Sequence, residues 1–262
     1  MSDVLLVTGG TGLTGSTIAL QAARQGREVR VLVRGGDTGP LAAAGIEVRT
    51  GDVTDSVTLD AAMAGVSQVV NTAAVLSGTW VRATPEQMWA VNHDGALNVL
   101  EAAARAGVTR CVHIDSNSIW DTTTPLTERS PLIVVTSYDS PYVAAKRAAY
   151  AGALHRVTRG QDIVFVTPGA IYGPGVFTER ALDPTSLAGS GHRVRDIRPS
   201  DPDAPDIGTM RQFTERRYAT PLFDDSETVR ALGYHSTPRA EGLAVTVKWL
   251  RAEGRIREEL TS

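Results

Sequence analysis

Val4-Leu5-Leu6-Val7-Thr8-Gly9-Gly10-Thr11-Gly12-Leu13-Thr14-Gly15 is the stretch that decides the fold. Val4 to Thr8 is a short apolar, β-branched run and reads as a buried strand. The glycine turn follows at once, and an amphipathic helix is predicted from about Leu13 to Gln25. Strand, glycine turn and helix in that order form the arrangement that holds a dinucleotide. Gly9 lets the backbone turn tightly off the strand, Gly12 lets the main chain approach a pyrophosphate, and Gly15 lets helix and strand pack closely. Thr11 and Leu13 complete the turn and join these candidates. The helix N-terminus adds unpaired N–H groups and the positive end of its dipole. The alternative is an ordinary glycine-rich turn of an α/β protein.

Working outward, the chain alternates strand and helix. After the first helix, Gly26 suits a helix end, and Glu28 to Val33 is the second strand. An acid at that strand end would accept from a ribose 2′-OH and favour NAD. Here the strand ends in Arg34-Gly35-Gly36, with no acid before Asp37. A guanidinium pairs bidentately with a 2′-phosphate, so NADP is the expected cofactor and NAD the alternative. The competing reading of Arg34 is a solvated loop arginine. Ile46 to Thr50 is a third strand, closed by Gly51-Asp52-Val53. Asp52 is expected to accept from an adenine amino group, to cap the helix starting near Thr54-Asp55, or to do both. Ser67 to Ala73 is a fourth strand, and the small residues Ala73 and Ala74 would let a cofactor lie across its end, or simply pack well.

Glu86 to Ala106 reads as one long helix with Pro85 in its first turn. Asn92 and Asn98 interrupt its interior, where asparagine competes for backbone groups. Asn92, beside His93-Asp94-Gly95, is the better functional candidate. Arg110 to Ile114 is the fifth strand, and Ser116 lies just past its carboxyl end, where ligands bind in parallel sheets. Residues 121 to 137 form a polar loop. A helix from about Ser140 to Thr158 places Tyr142 and Lys146 on one face. Ile163 to Thr167 is the sixth strand. Helices are expected from Asp225 to Leu232 and from Arg239 to Glu253, whereas residues 176 to 221 offer no confident strand. The alternation predicts an α/β fold, a doubly wound parallel sheet. A dinucleotide-binding domain over 1–175 is expected to carry a small, reduced C-terminal substrate-binding region over 176–262.

Composition narrows the function. The chain has 262 residues, 42% of them hydrophobic, enough for a substantial core. Its net charge of −3 gives no footprint for nucleic acid or anionic membrane. Cys111 is the one cysteine, so no internal disulfide forms, and a reducing, cytoplasmic setting is expected. No run is long enough to span a bilayer. His155, His192 and His235 lack metal-like spacing, and His113 reads as structural.

Thr8-Gly9-Gly10-Thr11-Gly12-Leu13-Thr14-Gly15, Asp52-Val53, Asn71-Thr72-Ala73-Ala74, Ser116 and Tyr142-x-x-x-Lys146 together resemble the short-chain dehydrogenase/reductase superfamily. The glycine spacing and the Ser116-to-Tyr142 separation resemble its extended branch, which includes NAD-dependent epimerase/dehydratases and dihydroflavonol-reductase-like enzymes. Pro168-Gly169-Ala170-Ile171-Tyr172-Gly173-Pro174-Gly175 is similar to that branch's segment after the sixth strand. Two departures stand out. Thr167 replaces the arginine that often precedes the proline, and only residues 176 to 221 stand where the branch usually builds its substrate lid.

The resemblance implies a mechanism. Tyr142 would be the general acid or base, and Lys146 would favour its phenolate and hold the cofactor ribose. Ser116 would hydrogen-bond the substrate oxygen, Asn92 would order a relay water, and Pro168 would border the cofactor. Ser118 is the rival of Ser116, and Tyr138 the rival of Tyr142, though Tyr138 lacks a lysine four residues on. Lys146 and Lys248 are the only lysines in an arginine-rich chain, which suits a compact ammonium kept at position 146. The competing reading is a surface Tyr/Lys pair. The expected activity is NAD(P)-dependent hydride transfer between nicotinamide and a ketone or secondary alcohol of a small molecule. The alternatives are an epimerase or dehydratase with transient cofactor oxidation, and a non-redox cyclase or NADP-binding protein. A homodimer through the helices carrying Asn92 and Tyr142 is a further expectation from the resemblance.

Overall fold

The computed structural model describes residues 3–76, 83–121, 125–134, 140–169, 171, 173–175, 223–234 and 237–253. The chain divides into two compact units, Met1–Ile119 with Val134–Gly169, and Trp120–Ile133 with Ala170–Ser262. The stretch 120–133 thus groups with the C-terminal segment. Tyr138, Ala170, Tyr172, His192, His235 and the loop over 176–221 lie outside the described residues.

Six parallel strands form the sheet of the first unit: β1 (Val4–Thr8), β2 (Glu28–Val33), β3 (Glu47–Thr50), β4 (Val66–Asn71), β5 (Arg110–Ile114) and β6 (Ile163–Val166). Their order is β3-β2-β1-β4-β5-β6, as expected for a doubly wound sheet. The chain lays β2 and β3 to one side of β1, then returns to lay β4 on the other. The switch point therefore falls between β1 and β4, where such sheets open a crevice for ligands.

Side-chain alternation divides the core into two layers. Leu5 and Val7 of β1 join Val29, Val31 and Val33 of β2 beneath Ala19 and Ala22 of α1 (Leu13–Arg24) and Leu41 of α2 (Gly39–Ala43). Leu6 faces the other way. It joins Val69, Cys111 and Ile163 beneath Leu59 and Met63 of α3 (Ser56–Met63), Val99 and Leu100 of α5 (Ala96–Arg105) and Ala153 of α6 (Pro141–Thr158). Covered on both faces, β1 is buried throughout, which is why it reads as a continuous apolar run. Burial pushes the Cys111 thiol up to about 11.

Three expectations need correction. The helix predicted over Glu86 to Ala106 is α4 (Pro85–Trp89), a wide turn with i→i+5 bonding over Ala90–Gly95, and then α5. The wide turn contains Asn92, which points inward rather than to solvent and is fully buried. That side chain bonds to a neighbouring segment instead of its own helix. Asp52 does not cap α3. Asp55 does, accepting from the Val57 N–H at 2.9 Å, while Asp52 accepts from the N–H and O–H of Thr54, both at 2.9 Å. The short helix α2, with Pro40 in its first turn, was not anticipated.

In the second unit, Trp120 bridges Leu132 and Leu126 bridges Phe223. Arg129 pairs with Glu227 at 2.8 Å, and Glu128 accepts from the N–H of Thr228 at 2.7 Å, tying the 120–133 stretch to α7 (Ser226–Leu232). Gly233, at φ +63°, ends α7, and α8 (Arg239–Ala252) follows. Among the described residues no helix is long and apolar enough to cross a membrane.

The tightest backbone approach is at Gly15. A Cβ there would lie 2.3 Å from the Gly9 carbonyl oxygen and 2.7 Å from Thr72 Oγ1. Gly15→Ala is expected to cost about 1–3 kcal/mol of stability by overpacking. Gly12→Ala, at a position with ordinary backbone angles, is expected to cost under about 1 kcal/mol. Urea unfolding of the two variants beside the parent chain checks the contrast.

Candidate functional site

The carboxyl ends of β1, β2, β4, β5 and β6 lie at one end of the sheet, and the candidate residues gather there. At β1, Gly9 turns at φ +69° and its N–H donates to the Leu32 carbonyl at 3.1 Å. The Gly12 N–H donates back to the Gly9 carbonyl at 2.9 Å, closing the turn that starts α1. No side chain caps α1 and no acid stands in its first turn, so the helix start keeps its positive end for an anion. A Cβ on Gly12 would meet only the Gly9 carbonyl oxygen, at 3.3 Å. The protein itself therefore does not demand glycine there; its absence of side chain leaves that side of the turn clear. An uncapped helix start beside a cleared glycine fits a dinucleotide phosphate.

Across the switch point, residues 72–76 are pinned by side chains. Thr72 donates its O–H to the Thr8 carbonyl at 2.6 Å, and the Ala73 N–H donates to Thr8 Oγ1 at 3.3 Å. Asn92 closes a two-way bond with Val75. Its Oδ1 accepts the Val75 N–H and its Nδ2 donates to the Val75 carbonyl, each at 2.8 Å. Ala73 is thereby held half-buried, with Ala74 exposed beside it. The Asn92 amide holds this segment through both groups of the Val75 backbone.

Arg34 follows β2 and is largely exposed, its Nε 3.9 Å from Asp52 Oδ2. Val53 is buried, and its carbonyl accepts from Asn98 Nδ2 at 3.2 Å. Pro168 stands half-buried just after β6. Thr11 and Leu13 flank the glycine turn, both half-buried.

Tyr142 lies in the first turn of α6, half-buried, one helical turn before Lys146. Lys146 is buried, and its Nζ donates to the Ile114 carbonyl at 2.9 Å. That bond brings α6 to the end of β5, two residues before Ser116. Ser116 and Ser118, the rival serines, share a hydrogen bond of 2.8 Å between their hydroxyls.

Beneath them runs a polar layer. Thr8, Asn71 and His113 sit at one register level of β1, β4 and β5. Thr8 donates to Asn71 Oδ1 at 2.6 Å, and Asn71 Nδ2 donates to His113 Nδ1 at 3.3 Å. Burial, with the Lys146 charge adding to it, pushes His113 down to about 3, so it is neutral and structural as expected. Asp115 was missed. Burial raises its carboxyl to about 7, against the opposing pull of Lys146 and of the Ser116 N–H, which donates to Oδ1 at 2.9 Å. An acid at the end of a buried strand, directly before the candidate serine, was the signal. Among the described residues no group of three or more His, Cys, Asp and Glu side chains is placed to hold a metal ion.

The profile of the NAD dependent epimerase/dehydratase family matches residues 5–190. The chain belongs to that family. It is a member of the extended short-chain dehydrogenase/reductase superfamily with a shortened substrate region, and membership carries NAD(P) binding in general terms. The chain is 28% identical over 270 residues to sterol demethylase protein B of Methylococcus capsulatus, covering 98% of this chain and 74% of that protein. It is 32% identical over 184 residues to the 3 beta-hydroxysteroid dehydrogenase/Delta 5→4-isomerase of Mycobacterium tuberculosis, covering 65% of this chain and 48% of that protein. The chain thus spans about half the length of several curated relatives that it matches. Among solved structures, the dTDP-glucose 4,6-dehydratase DesIV of Streptomyces venezuelae, solved with NAD bound, superposes with a TM-score of 0.72. That match has 21% identity and covers 95% of this chain and 97% of that one, so it shows the shared fold.

Two outcomes test the geometry. Asn92→Ala removes both bonds to Val75 and is expected to cost about 2–3 kcal/mol, with faster hydrogen exchange at the Val75 amide. The second concerns pH. His113 falls from an ordinary 6.5 to about 3 on folding, so its contribution is full above 6.5 and is lost as pH falls toward 3. Asp115 rises from 3.8 to about 7, so its contribution is full below 3.8 and is lost as pH rises through about 7. The two slopes oppose each other between 3.8 and 6.5. Asp115→Asn leaves only the histidine slope, and its stability is expected to climb by about 3 kcal/mol more than the parent's across that window, read by denaturant unfolding at stepped pH.

Proposed function

We propose that this chain is an NADP-dependent oxidoreductase that moves hydride between the nicotinamide and a ketone or secondary alcohol of a small molecule, with Tyr142 as general acid or base. The observation that carries it is Lys146, a buried ammonium seated on the Ile114 carbonyl beside Ser116, one helical turn from Tyr142. A buried lysine is costly unless its charge is used or balanced, and its place at the carboxyl end of the sheet is where ligand chemistry occurs.

In this reading Gly9, Gly12 and Gly15 with the start of α1 hold the pyrophosphate. Arg34 pairs with the 2′-phosphate, and Asp52 and Val53 flank the adenine. Ala73, Ala74 and Pro168 border the nicotinamide half, and Lys146 holds its ribose. The bound nicotinamide supplies hydride transfer. Tyr142 exchanges a proton with the substrate oxygen, its phenolate favoured by the Lys146 ammonium. Ser116, its hydroxyl held by Ser118, donates to the same oxygen as charge grows there. Asn92 acts by fixing residues 73–76. The hydroxysteroid dehydrogenase and sterol demethylase names among the relatives support alicyclic ketones and secondary alcohols as the first substrate panel.

Fluorescence titration of nucleotide-free protein is expected to show tighter binding of NADPH than of NADH. Arg34→Ala is expected to weaken NADPH by about 10- to 100-fold while leaving NADH little changed. Tyr142→Phe is expected to lower turnover of an accepted ketone by about 100-fold or more with nucleotide affinity kept. Binding of neither nucleotide would overturn the reading.

A further inference from the structure

Asp115 is an ionisable group at the sheet end that the mechanism above leaves without a task. It is 4% exposed, and its two oxygens are treated differently. Oδ1 accepts the Ser116 N–H at 2.9 Å, while Oδ2 has no hydrogen-bond partner among the described residues. A carboxylate oxygen without a donor in the interior is costly, so its retention asks for a reason. The backbone places it with care. The Asp115 N–H donates to the Val166 carbonyl at 2.8 Å, fixing the residue as the last rung between β5 and β6. Its side chain shares a strand face with His113, two residues back, and Ile114 between them receives Lys146.

Among the described residues the charged and titratable groups around it are few. From α6 come Lys146, whose ammonium stabilises the Asp115 anion, and Tyr150, whose hydroxyl is pushed up by burial and by the Asp115 charge. From β5 comes His113, held neutral. Neither β6 nor the short turn Asn117–Ile119 brings a titratable side chain. Among the described residues Asp115 is thus a carboxyl whose charge couples to Lys146, and it is either neutral or charged according to a single proton.

We propose that Asp115 is a positioning residue of this site, holding or releasing one proton beside Lys146 and so setting how strongly the ammonium favours the Tyr142 phenolate; the proposal rests on Tyr142 and Lys146 being the catalytic pair. With Asp115 protonated, no Asp115 charge opposes the pull of the ammonium on Tyr142. With the proton released to solvent, the carboxylate absorbs part of that charge and Tyr142 holds its own proton more firmly. Burial brings the exchange to about 7, inside the working range of an enzyme.

The test follows ultraviolet phenolate absorbance of the full chain against pH, with and without NADP+. Subtraction of the Tyr142→Phe titration isolates Tyr142. Removing the Asp115 charge in Asp115→Asn is expected to move the Tyr142 midpoint down by about one pH unit. Asp115→Ser carries the same expectation should the asparagine variant fail to fold. A purely structural part for Asp115 would change stability and leave this midpoint in place. A depressed Tyr142 midpoint that neither variant moves would overturn the Asp115 proposal alone. A wild-type Tyr142 midpoint at the ordinary phenol value of about 10, with NADP+ or without it, would overturn the catalytic-pair reading and this proposal with it.

Discussion

Parallel strands that end together leave backbone carbonyl and N–H groups with no ladder partner, and buried groups of that kind must be satisfied. In this chain side chains do that work. Thr72 takes the Thr8 carbonyl, Lys146 takes that of Ile114, Asn98 takes that of Val53, and Asn92 takes both groups of Val75. Each bond also fixes the place of something else. Thr72 and Asn92 hold the segment facing the glycine turn, Asn98 draws α5 toward the end of β3, and Lys146 seats α6 on β5. The site is thus a by-product of closing the sheet properly, and its geometry stands or falls with those closures.

Much of this was legible in the residues. The six strands and the glycine turn were written in β-branched runs and glycine placement, because burial on both faces of a parallel sheet leaves little choice of side chain. Tyr142 and Lys146 were legible because their spacing matches the helix period. Less legible were features decided by tertiary bonds. Asn92 looks like a poor residue for a helix interior, yet it sits in a wide turn of that helix and reaches a backbone seventeen residues away. Asp52 and Asp55 are both plausible caps in sequence, and only the backbone path selects Asp55. Asp115 was hidden by its neighbours, since a run of Asp, Ser and Asn after a strand resembles a polar loop until its burial is seen.

Charge is handled by the same economy. Arg30, buried in the middle of β2, spends its guanidinium on Glu47 and on the carbonyls of Ala62 and Ala64 at the end of α3. There the dipole favours a cation, and the carbonyls need donors. At the carboxyl end of the strands, Lys146 and Asp115 form another interior charge system among the described residues. The first is locked by several hydrogen bonds and ties β2, β3 and α3 together. The second has one oxygen to spare and stands beside the candidate serine. The sheet carries a structural cation at one place and an adjustable one at another.

Cys111 lies in β5 within the layer under α5 and α6, and its thiol is held near 11. Almost none of it is thiolate near neutrality, so oxidants and alkylating reagents find no nucleophile while the sheet stays closed. As the chain's one thiol, it becomes reachable when the strands beneath those helices part. The pace at which it is modified is then a clock on the opening of β5, built into the middle of the fold and silent until the fold gives way.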